Sequence, residues 1–240
     1  MQNLELNCSL ADSLNEDVTA CLGDLAELGL DAITAEGLLK DIPFISTAVS
    51  IYRIGHNIRE RHNLKKLVTF LNEINNGIEN QQKREEYAFK IRTNNRLRNQ
   101  ELEYLLIIID RYISYEKPKM IAKLYLAYLD RMLDWVELTM YAEVIDRFLP
   151  GDYTMLQTNR EVSTIRNLGS EALLRLMAQG LVAEKATTNI FEDNGRGGFS
   201  VTLASMDREH NQYKTYQRTE FGDKLVDILG DLRDNSIQLL

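Results

Sequence analysis

The 240-residue sequence holds only three prolines, two cysteines and three histidines. So little proline leaves long stretches free to run as helix. Two cysteines, Cys8 and Cys21, are too few for a disulfide scaffold, and no C-x-x-C pair exists. The expectation is two thiols in a reducing compartment. Both lie in an acidic segment, which raises a thiol pKa rather than activating it. Of His56, His62 and His210, the first two are six apart, off the i, i+4 spacing that shares a metal on one helix face. No H-E-x-x-H or G-x-S-x-G motif occurs, and the carboxylates fall mostly at exposed helix positions. No catalytic residue, metal ligand or cofactor is therefore assigned. The chain also lacks a run of the ~18–20 apolar residues a spanning helix needs. No basic then apolar leader opens it, so the expectation is no cleaved signal peptide and a cytoplasmic location.

What is present is 44% hydrophobic and 27% charged residues, enough to bury a sizeable core. The net charge of −8 argues against general coating of nucleic acid. The charge is uneven. Residues 1–41 carry nine acids and one lysine, whereas residues 42–99 carry eleven bases and five acids. The basic middle can meet the protein's own acidic N-terminus or an acidic partner.

Leu10, Leu14, Val18, Cys21, Leu22, Leu25 and Leu28 recur at helical steps, with Ser9 as a start and Gly29 as a stop. A short helix is expected over 34–40. Pro43 opens a long helix to Ile58, whose pattern continues through Leu64, Leu67, Val68, Leu71, Ile74 and Ile78 after a break near His62-Asn63. Residues 72–82 read as a polar connection. The apolar run Leu105–Ile109 reads as a buried helix, because its flanks extend it at helical spacing. Pro118 sits in the first turn of the next helix, and Asp134 to Glu137 forms a capping box for another. Short connections predict an antiparallel bundle over 41–150, preceded by an acidic helical segment over 1–40.

After Gly151 the texture changes. A helix from Ser170 to Gly180 is followed by two or three short strands around the Gly-rich "EDNGRGGF", then by a last helix, "EFGDKLVDILGDL". A strand follows those glycines, so they read as a wing tip rather than a phosphate loop. The fold class is mainly α, an antiparallel bundle followed by a small α+β winged-helix-like domain over 151–240.

The segments "IPFISTAVSIYRIGHNIRERHNLKKLVTFL", "IIIDRYISYEKPKMIAKLYLAYL", "VIDRFLPGD" and "GLV…YQRTEFGDKLVDIL" together resemble an uncharacterised family of bacterial helical proteins. The resemblance implies bacterial origin, a helical domain with a winged-helix-like tail, and a link to phage defence. It supplies no catalytic residues.

Four groups of residues stand out. At 100° per residue, Ser46, Ser50, Arg53, Asn57 and Glu60 share one sector, and Phe44, Ala48, Ile51, Gly55 and Ile58 lie opposite. This polar stripe suits a packed or surface helix rather than a spanning one. Arg53, Arg59, Arg61, Lys65 and Lys66 are candidates for an anion or partner contact. In the tail, Arg166, Arg175, Gln179 and Arg196 are candidates for DNA contact, since a recognition helix needs basic or amide side chains. Finally, Asp110-Arg111, Asp130-Arg131 and Asp146-Arg147 repeat a dipeptide whose members do not face each other on a helix, which predicts cross-helix bridges. Three functions are consistent with these features: a non-enzymatic protein acting through a protein partner or homo-oligomer, in defence or stress; a DNA-binding regulator using 151–240; and a membrane-surface effector using 43–66.

Overall fold

The computed structural model describes residues 8–14, 42–52, 58–93, 95–158, 161–163, 170–185 and 215–230. They are mainly helical, with one small antiparallel sheet. Two compact units divide between Arg147 and Phe148.

In the first unit the helices are α1 (Pro43–Tyr52), α2 (Ile58–Asn76), α3 (Gln81–Thr93), α4 (Asn95–Arg111), α5 (Glu116–Leu129) and α6 (Trp135–Asp146). Helix α2 packs on α1, α4 and α5, and α5 also packs on α4 and α6. The pattern of buried side chains explains this. Leu67, Val68, Phe70, Leu71 and Ile74 cover one side of α2, and Ile121, Ala122, Leu124 and Tyr125 line α5. Rings link the helices in series. Phe44 on α1 meets Phe70 on α2, Phe70 meets Tyr125 on α5, and Trp135 on α6 meets both Tyr128 and Tyr104, with centroids 5.6–6.4 Å apart. Such tilted and edge-on pairs add to area burial.

Helix α1 follows the angular pattern: Phe44, Ile45 and Ala48 are buried, while Ser46 and Ser50 are exposed. Its start is capped from a distance. Pro43 has no N–H, and the Phe44 N–H donates to the Ser13 hydroxyl at 2.9 Å. Residues 8–12 are helical, with Leu10, Ser13 and Leu14 buried.

Several expectations need correction. Helix α2 runs unbroken through His62 and Asn63. It also continues to Asn76, so the connection is shorter than the polar stretch 72–82. Asn75 explains the extension. It is buried, and its amide donates to the carbonyls of Ser13 and Leu71, so this polar residue serves the interior. Leu105–Ile109 is helical, and four of its five residues are buried; Ile107 is half exposed. Asp134 forms the expected capping box with Glu137. The helix expected over 34–40 and the Gly-rich loop lie outside the described residues.

The second unit holds α7 (Asp152–Thr158), β1 (Glu161–Ser163), α8 (Ser170–Ala178), β2 (Val182–Glu184), β3 (Thr215–Arg218) and α9 (Glu220–Leu229). Strand β1 carries no alternating apolar pattern, and the sequence did not announce it. β3 lies between β1 and β2 and is antiparallel to both, with Val162 opposite Tyr216 and Ala183 opposite Gln217. Gly180 (φ 75°) ends α8 in the left-handed region. The "TEFG" stretch then clasps that corner. Thr219 donates its N–H to the Leu181 carbonyl at 3.0 Å and its hydroxyl to the Gly180 carbonyl at 2.7 Å. The same hydroxyl accepts from the Gly222 N–H, capping α9. A Cβ at Gly222 would sit 2.2 Å from the Leu181 carbonyl oxygen, so only glycine permits this approach.

Candidate functional site

One group of polar side chains in the first unit joins the start of α2 to the turn between α4 and α5. Arg59, Asn63 and Lys66 recur at helical spacing and reach the end of α4. Asn63 donates to the Asp110 carboxylate, and Arg59 stands 3.7 Å from it. Lys66 is 1% exposed and donates to the carbonyls of Asp110 (2.6 Å) and Tyr112 (2.9 Å). Burial lowers its pKa, and Asp110 opposes that shift. A step round the helix, His62 Nδ1 and the Tyr115 hydroxyl are hydrogen-bonded at 2.7 Å, with the rings 4.8 Å apart. The Lys65 ammonium lies over the Tyr115 ring, 4.5 Å from its centroid. Burial raises the Tyr115 pKa.

The predicted cationic residues therefore separate. Lys66 is committed to α4 carbonyls and does not face solvent. Arg59 and Lys65 are on the surface of the cluster. Arg61 lies on α2, and Arg53 lies outside the described residues. Tyr115 and Asn63 were missed by sequence reasoning. Their partners are 53 and 47 residues away, so no local spacing could have marked them.

The acidic N-terminus meets other bases. Arg92 pairs with Asp12, and Arg84 donates to the Leu14 carbonyl and to Asn75. These arginines of α3, together with Ala11, Gln81 and Glu85, line an open cleft of about 300 Å³. For its described part, the N-terminal segment thus engages α3 rather than the start of α2.

In the second unit, Arg175 makes a two-pronged pair with Asp152: Nε to Oδ2 at 3.0 Å and a terminal nitrogen to Oδ1 at 2.7 Å. The Asp152 side chain is fully buried and also accepts the Leu149 N–H at 2.9 Å. Arg175 therefore ties α8 to the start of α7. The Gln179 side-chain amide oxygen is buried without a hydrogen-bond partner among the described residues. Arg166 and Arg196 lie outside them. The outward face of α8 presents Glu171, Leu174 and Ala178, with Leu174 63% exposed.

The three Asp-Arg pairs all take cross-helix partners. Arg111 pairs with Asp146 at 2.5 Å, Asp110 receives Asn63 and Arg59, and Asp130 accepts the Tyr87 hydroxyl at 2.6 Å with Lys83 3.3 Å away. Among the described residues no three His, Cys, Asp or Glu side chains group as a metal centre. None of the described helices is long and apolar enough to cross a membrane. The apolar face of α1 is occupied by protein at Phe44, Ile45 and Ala48, which leaves none of these three for lipid. Comparison with protein-family models, curated proteins and solved structures gave no match.

Proposed function

We propose that this is a non-enzymatic bacterial protein, an antiparallel helical bundle joined to a winged-helix-like module, that acts through protein contacts in defence or stress. The bundle reading rests on successive helices joined by short turns, with α5 packed on both α4 and α6. The winged-helix reading rests on the order helix, strand, helix, strand, strand, with the last strand central in the sheet.

The observation that favours protein over DNA is the face of α8. In a DNA-reading module this helix would carry donors for base edges and phosphates. Here its outward residues are acidic or apolar, and its arginine is bound to a buried aspartate. An exposed leucine between small and acidic neighbours suits a protein surface.

Sedimentation of the full chain, with affinity capture followed by binary binding of any purified partner, tests the reading. Self-association or partner binding should be lost in Leu174→Asp while the circular dichroism spectrum is retained. Duplex DNA should give no salt-dependent shift. A monomer with no Leu174-dependent partner, or steep salt-dependent DNA binding lost in Arg196→Ala, would overturn it.

A further inference from the structure

We propose that Arg59, His62 and Lys65 on α2, the last two held by Tyr115, bind a phosphate dianion. The three side chains recur every third residue, so they span an arc of about 120° and about 9 Å of helix axis. Tyr115 organises two of them. Its hydroxyl engages His62 Nδ1, which leaves Nε2 as the other ring nitrogen, and its ring face carries the Lys65 ammonium. Fixing both groups in advance lowers the ordering cost of binding.

The charge balance points the same way. Among the described residues Lys65 has no carboxylate within bridging distance. The Arg59 side chain is 82% exposed, and among the described residues its one ion pair is the 3.7 Å approach to Asp110. Asp110 already receives Asn63, and its charge also acts on Lys66. Among the described residues one carboxylate thus serves Arg59 and Lys66, and Lys65 is left over, in a chain whose net charge is −8. Holding like charges together is unfavourable, and an anion would relieve it. A tetrahedral dianion accepts along three directions, matching a guanidinium, an imidazole and an ammonium on one arc. A carboxylate has two oxygens in one plane and fills the arc less well.

This chemistry is shared by inorganic phosphate and by a phosphoserine on a partner protein. Two-dimensional NMR titration of the full-length chain separates them. The probes are inorganic phosphate, a short phosphoserine peptide, its unphosphorylated form, and acetate at matched ionic strength. The phosphate-bearing probes should shift the amides of residues 59–66 and of Tyr115. Arg59→Gln and Lys65→Gln should each weaken binding about tenfold, and Lys185→Gln in the second unit should leave it unchanged. Tighter binding of the phosphopeptide assigns the site to a partner, and equal affinity assigns it to the free ion. Localised shifts that are absent, equal with acetate, or undiminished in variants with a native circular dichroism spectrum would overturn the proposal.

Discussion

Lys66 and Arg175 show how a cation's burial decides its role. Both belong to sequence features that suggest outside contacts, and both are spent internally. Lys66 holds two carbonyls at the end of α4. In Lys66→Ala these carbonyls lose their donor inside the unit, which costs about 1–3 kcal/mol. Urea unfolding should show this as a lower midpoint. The residue's own titration has a definite sign. Its folded pKa lies below 10.5, so between the two values the unfolded chain binds the proton more tightly. Its contribution therefore makes stability rise with pH across that window, and Lys66→Met should flatten that part of the profile. Arg175→Ala would strand the fully buried Asp152 carboxylate. A lower thermal midpoint is expected, together with partial recovery in the Arg175→Met, Asp152→Asn double variant. An unchanged midpoint would refute the structural role.

At the scale of elements, one device recurs. Helices α4, α5 and α6 end at or just before the three Asp-Arg dipeptides, and each end receives a lysine from another helix. Lys66 donates at the end of α4, Lys90 to the Leu129 carbonyl of α5 at 3.0 Å, and Lys117 to the Asp146 carbonyl of α6 at 2.8 Å. An aspartate at a helix C-terminus opposes the macrodipole, and a lysine ammonium at the last carbonyls offsets it. The dipeptide was visible in the sequence, but its distant partners were not. In the second unit the analogous tie is glycine-dependent. Gly222→Ala forces α9 away from Leu181, because the obstacle is backbone. Such overpacking costs about 1–3 kcal/mol. Denaturant unfolding should register the loss, while Gly77→Ala, which meets the flexible end of Leu126, should lose less. Loss of the Asp134 capping box in Asp134→Ala should cost about 1 kcal/mol in the same measurement.

For the whole molecule, alkaline pH is the sharpest probe. Burial raises the pKa of Tyr87, Tyr112 and Tyr141, the last to about 12, and carboxylates near each of them add to the shift. Their folded values exceed their unfolded ones, so their stabilisation is complete below pH 10 and is lost as pH rises through the folded values. Above pH 10 this opposes the gain from Lys66, and three phenols outweigh one ammonium. Stability should therefore fall there, with phenolate absorbance appearing late in the native protein. Leu10, Ala11, Ser13 and Leu14 belong to the first unit's interior. Leu10→Ala should cost about 2–5 kcal/mol, read by thermal unfolding.

Periodicity made the helices legible. The polar stripe of α1, the buried run of α4, the cap of α6 and the α8–β2 corner are local consequences of spacing, side-chain size and backbone chemistry. Such signals act over a few residues, so the chain states them directly. Three-residue strands have too few residues to show alternation, which is why β1 was not visible. The distance between partners also hid the cluster at the start of α2. That Lys66 caps α4, that Ser13 caps α1 across 31 residues, and that Arg175 faces Asp152 all depend on elements meeting in space. Charge and hydrogen-bonding capacity are written in the sequence. Which of them remain available to a partner is decided only by packing, because burial determines whether a donor meets water or a carbonyl.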